Sequence, residues 1–173
     1  VYILLYFIVV SGIKQINTVK QIINILLGVG ILLSILSLLS YAGIKIIPLN
    51  FVDGLNFTPT GSSFSTTTIL ALLLPFPLIS LLSGKGKDIV MLGSQDNLSI
   101  ISQKIIFSAI LALFVVTIVL TGTTAVYIAA IVATILVLIS TPPISIQKNM
   151  LFLAIPVVLA VIVLFVSYVP IGG

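Results

Sequence analysis

The sequence has no cysteine, no histidine, no tryptophan and no arginine, and its only acidic side chains are Asp53, Asp88 and Asp96. Without Cys there is neither a disulfide nor a thiolate metal ligand, and without His the commonest metal ligand and general base are missing. These absences call for no metal and no cofactor. Charge is scarce altogether, at 6% of the 173 residues against 60% hydrophobic ones. A soluble domain carries roughly 25% charge, so this composition cannot build a water-exposed surface. The net charge of +4 comes from seven lysines in short polar breaks, with no basic patch interleaved with aromatics. It is not a nucleic-acid footprint.

What the sequence does have is long apolar runs. A helix needs about 20 apolar residues to cross a bilayer, and the runs are continuous rather than alternating, which favours helices over a barrel. The expected fold is all-α, a polytopic transmembrane helix bundle of about six spans in a single region covering 1–173. The spans are placed at 1–13, 22–44, 66–83, 104–121, 123–140 and 150–169. The first is short for a span, so it reads as the second half of a truncated helix and the chain as an internal piece of a longer membrane protein. It has neither a basic leader nor a small-residue cleavage site, so it does not read as a signal peptide.

The lysines give a direction. Lys14, Lys20, Lys85, Lys87, Lys104 and Lys148 fall in the first, third and fifth breaks, and only Lys45 falls in the others. Under the positive-inside rule this alternation turns NFTPTGSS (56–63) and TGTT (121–124) outward. Tyr2, Tyr6, Tyr41, Tyr127 and Tyr168 lie towards outward ends, where interfacial rings settle. The join at TGTT is read as a turn between two spans; a single bent helix over 104–140 would invert everything after it.

Small residues mark packing faces. Ala125, Ala129 and Ala133 line one face of the fifth span, and Gly28 and Gly30 with Ser34, Ser37 and Ser40 do the same in the second. Pro75 and Pro77 should kink the third span and Pro156 bend the sixth. Thr58-Pro59-Thr60-Gly61 fits a type I turn, after which Ser63 or Ser65 caps the third span.

The third and fifth spans both begin on the outer side, one in Gly61-Ser62-Ser63 and the other in Thr123-Thr124. Unpaired N–H groups, hydroxyls and the positive dipole end favour phosphate or carboxylate at such starts. Held close together, the two starts form a candidate binding site for the diphosphate of a lipid carrier, made of Gly61, Ser62, Ser63, Thr123 and Thr124. Catalysis is assigned to none of these residues.

The stretch NFTPTGSSFSTTTILALLLPFPL followed by LTGTTAVYIAAIVATILVLI resembles the N-terminal half of the O-antigen ligase and polymerase family of bacterial membrane proteins. That family shows a Thr/Asn-Pro-x-Gly-Ser turn before a helix and, further on, Leu-Thr-x-Ser-Arg-Ala. The resemblance implies a cell-envelope polysaccharide enzyme of the bacterial cytoplasmic (inner) membrane. There it moves a glycan from undecaprenyl diphosphate to an acceptor on the outer side. The family's Arg residues are thought to engage the diphosphate, and a His in a later loop assists. Here Thr123 and Thr124 stand at the Ser-Arg pair, which removes the charge-assisted, bidentate contact.

Two other functions fit a chain of this kind, a transporter or flippase segment and a non-catalytic scaffold subunit. The span interiors hold no ionisable group of the sort an ion-coupled carrier keeps. Asn56-Phe57-Thr58 and Asn97-Leu98-Ser99 match the glycosylation sequon without a context that uses it. Gly84-Lys85-Gly86-Lys87 lacks the upstream glycine and the strand of a phosphate loop, and reads as an anchor attracting anionic lipid.

Overall fold

The computed structural model describes residues 16–44, 60, 62–83 and 100–168. Among them every regular element is a helix: α1 (Ile16–Tyr41), α2 (Ser63–Leu73), α3 (Pro75–Ser83), α4 (Ile100–Thr121), α5 (Thr124–Ser140), α6 (Pro143–Lys148) and α7 (Met150–Tyr168). The fold is an all-α bundle. Three helical stretches are long and apolar enough to cross a membrane: Thr18–Tyr41, Ser63–Leu82 and Ile101–Thr121. The apolar stretches Thr124–Ser140 and Met150–Phe165 are shorter. The expected first span lies outside the described residues.

Local chemistry sets the helix ends. Gly43 has φ +76°, its N–H bonds Ser40 O at 3.0 Å, and the Ile44 N–H reaches Leu39 O at 3.0 Å. This pair of bonds is the glycine-dependent stop that satisfies the last carbonyls of a helix. Between α2 and α3, Pro75 and Pro77 have no N–H to give to the carbonyls of Ala71 and Leu73. Leu74 keeps helical angles and bonds Leu70 O at 2.9 Å, so the rod continues past the interruption. Pro156 is buried and α7 runs on through it.

α4 is the axis of the bundle, with α1, α2, α3 and α7 packed around it. Its Phe107 and Phe114 are almost wholly enclosed, together with Leu70, Leu81 and Leu82 from α2 and α3. α1 turns Leu27, Gly30, Ser34 and Ser37 inward, a helical stripe of three- and four-residue steps. A Cβ on Gly30 would stand 2.7 Å from Phe114 Cζ and 2.9 Å from Leu73 Cδ1. The missing side chain is what lets three helices meet there. Gly28, grouped with this face from the sequence, is instead exposed and meets nothing within 4 Å, because it sits two residues, over half a turn, from Gly30.

One end of the bundle is tied by Asn149, which is buried. Its Nδ2 donates to Ser145 O at 2.9 Å and to Leu82 O at 3.3 Å, joining the last turn of α3 to the start of α7. Ser108 Oγ donates to Phe152 O at 2.9 Å, bonding α4 to α7, and Lys104 Nζ lies 5.7 Å above the Phe152 ring. These contacts set α7 parallel to α4 and place Lys104 and Lys148 at one end, the lysine end. The polar break 141–149 is not all loop: it holds α6, a six-residue helix opened by Pro142 and Pro143.

Candidate functional site

The opposite end of the bundle carries the starts of α2 and α5. At α2 the N-cap is Ser62, not the expected Ser63 or Ser65. It takes extended angles (φ −151°, ψ 147°) and its Oγ accepts from Ser65 N–H at 3.1 Å. A dense hydroxyl network surrounds this cap. Thr60 Oγ1 and Thr66 Oγ1 are 2.6 Å apart, and Ser62 Oγ and Ser65 Oγ are 2.8 Å apart. Thr66 Oγ1 donates to Ser62 O at 3.2 Å, Thr67 Oγ1 to Ser63 O at 2.8 Å and Thr68 Oγ1 to Phe64 O at 2.7 Å. The polar passage of the sequence therefore closes on itself: most of its hydroxyls complete the first turn of their own helix. Gly61 and the Thr58-Pro59 part of the expected turn lie outside the described residues.

The start of α5 is built differently. α4 ends at Thr121, and Gly122 N–H bonds Ile118 O at 2.7 Å. Thr123 then takes extended angles (φ −108°, ψ 163°), and its side chain makes no cap hydrogen bond. A helix cannot continue through such a residue, so 104–140 is two helices and the single bent rod is ruled out. Tyr127 reaches back from α5 and donates its OH to Val119 O at 3.0 Å. That carbonyl, in the last turn of α4, has lost its helical partner to the turn. Thr123 and Thr124 are both exposed.

The two starts share one end. α2 and α5 pack side by side, and a groove of about 250 Å³ between them is lined by Phe64, Thr68, Leu72 and Pro75 on one wall and by Ala125, Val126, Ala129 and Ala133 on the other. Asn149 holds Leu82 at the lysine end, where Phe152 meets Ser108 of α4, whereas α5 starts at the far end of α4, where Tyr127 bonds Val119, so α2 and α5 begin at the same end and run parallel. Ser62 and Ser63 stand just before Phe64, and Thr123 and Thr124 just before Ala125, at the head of the same groove. The alanine face expected to admit a close neighbour keeps Ala125 and Ala129 exposed and forms a trough instead. Alanine is too short to fill the space that Phe64 and Pro75 hold open. A second apolar groove of about 390 Å³ lies between α4 and α5, with Leu74, Val115, Ile118, Tyr127, Thr134 and Leu164 on its walls.

Chemically, the head of the groove offers hydroxyls and the free N–H groups of two helix starts, with no acidic residue in either first turn. Among the described residues it offers no cation. Asn149 and Thr66 are structural residues that the expected site does not include, and Tyr127, expected as an interfacial ring, also clasps α4. Asn149 had a signal, since an Asn directly before an apolar run is a helix-start residue, and Leu153 N–H does bond Asn149 O at 3.1 Å. Comparison of the chain with protein-family models, curated proteins and solved structures finds no match.

Proposed function

We propose that this chain is the multi-pass, membrane-embedded part of a glycan-transfer enzyme of the O-antigen ligase and polymerase type, seated in the bacterial cytoplasmic membrane. In this reading the trough between α2 and α5 takes isoprenoid carbons of a polyprenyl-diphosphate-linked glycan. The two helix starts face the diphosphate on the outer side, the side to which the lysine distribution turns them.

The observation that carries the reading is the pairing of two helix starts above one apolar trough. Hydrocarbon of the carrier fits the trough, and phosphate oxygens suit N–H groups at helix N-termini. Ser63, Thr123 and Thr124 supply the uncommitted side chains there, because the other hydroxyls at the α2 start are bonded within their own turn. With no arginine in the sequence, these residues give hydrogen bonds but no neutralising charge. Their role is to hold a lipid carrier, and no chemical step is assigned to them.

The test is binding of a photoreactive polyprenyl diphosphate to the 173-residue chain in nanodiscs. Ala129→Phe fills the trough and should abolish crosslinking at α2 and α5, with polyprenyl alcohol competing more weakly than the diphosphate. Crosslinking that survives Ala129→Phe unchanged, or that ignores the diphosphate, would sink the proposal.

A further inference from the structure

Besides the groove, α1, α2 and α4 each carry buried hydroxyls within two turns of the point where they meet at Gly30, a seam of polar groups in an apolar bundle. Ser34 and Ser37 of α1 are 0% and 1% exposed, and neither Oγ has a hydrogen-bond partner. Buried hydroxyls ordinarily have one, and leaving one unmade costs more than a surface hydroxyl ever would. Ser34 is one turn from Gly30, the residue in contact with Phe114 of α4 and Leu73 of α2. Thr117 lies one turn beyond Phe114, and Thr66 and Thr67 lie two turns before Leu73. All three threonines are 0% exposed.

The threonines are complementary to the serines. Thr117 Oγ1 donates to Leu113 O at 2.8 Å and Thr67 Oγ1 to Ser63 O at 2.8 Å. Each has given its proton to its own helix and retains lone pairs as an acceptor. The two serines bring protons with no acceptor. A molecule that both accepts and donates, and is small enough to lie between packed helices, completes this set. The seam also has an approach: Thr66 bonds Thr60, which is only half-buried at the polar end of the bundle. Below it, Phe114 seated on Gly30 closes the interior with hydrocarbon.

We propose that this seam binds water, accepting from Ser34 and Ser37 and donating to threonine oxygens. The bound water then joins α1 to α2 and α4 through bridges in place of direct bonds, which serve nearly as well. This inference stands apart from the lipid carrier, since no residue of α1 lines the α2/α5 trough.

A crystal structure of the 173-residue chain from lipidic mesophase, at a resolution that shows ordered solvent, tests it. Solvent density within hydrogen-bond distance of both serine oxygens is expected, and Ser34→Ala with Ser37→Ala should remove it. Should the double variant fail to fold, water-to-protein cross-relaxation of Ser34 and Ser37 by NMR in the wild type gives the same answer. Serine hydroxyls found donating to carbonyls of α1 itself, with no solvent beside them, would overturn the proposal.

Discussion

The starts of α2 and α5 use the same residue types and do different things with them. At α2 the hydroxyls of Thr60, Ser62, Ser65 and Thr66 bond one another and the first-turn backbone. At α5 the helix begins at Thr123 without any side-chain cap bond, and the turn is held from elsewhere, by Gly122 and by Tyr127 clasping α4. The first start is self-sufficient. The second depends on its neighbour and leaves its threonines unoccupied. A cluster of hydroxyls is therefore a poor guide to a binding site until the acceptors of each are known: the richer cluster here is the less available one.

Mutations can break this contrast, and the largest effect should come from the turn that α5 depends on. A Cβ at Gly122 would run into the Ile118 carbonyl oxygen and stand 2.8 Å from Tyr127 Cε1. A backbone atom cannot swing aside as a side-chain tip can, so Gly122→Ala should destabilise the bundle by about 1–3 kcal/mol. Thermal unfolding in detergent micelles, followed by circular dichroism, would show it. Next in size is Ser62→Ala, which removes the one side-chain cap of α2 and should cost about 1 kcal/mol in the same assay. Tyr127→Phe deletes the clasp onto Val119 O and should cost about 0.5–1.5 kcal/mol. If Ser62→Ala proved silent while Thr123→Ala was costly, the assignment of the two starts would have to be reversed.

Much of the helix inventory was legible in the sequence because apolar runs in a chain with so little charge have few other fates. The expected 22–44, 66–83, 104–121, 123–140 and 150–169 correspond to α1, the α2–α3 rod, α4, α5 and α7, with ends differing by a few residues. The break at TGTT was visible as turn chemistry and is confirmed by the extended Thr123. The details that were not legible depend on neighbours. Ser62 rather than Ser63 or Ser65 is the cap because only it lies outside the helix with extended angles. Gly28 and Gly30 look alike in the sequence, and only the position of Phe114 distinguishes the one that matters. α6 is six residues long, too short for a periodic pattern to show. Of the expected site residues, Ser62, Ser63, Thr123 and Thr124 do not line the groove but directly precede its first lining residues, Phe64 and Ala125, an arrangement that rests on α2 and α5 being parallel neighbours. No count of residues along the chain could have given that adjacency.

The smallest effect on stability, and the sharpest test of the contrast, belongs to Thr123→Ala. Its side chain is exposed and makes no cap bond, so its loss should change the unfolding midpoint by no more than about 0.5 kcal/mol. A side chain that adds no bond to its own helix yet stands at the head of an apolar trough is free to bond a ligand. Thr123→Ala should therefore weaken capture of a polyprenyl diphosphate in nanodiscs several-fold while leaving capture of the matching alcohol unchanged. Ser62→Ala should do the opposite, lowering stability and leaving the ratio of diphosphate to alcohol binding where it was. Equal effects of the two substitutions on that ratio would mean that the hydroxyls at both starts serve folding alone, and that the trough recognises hydrocarbon without regard to its head group.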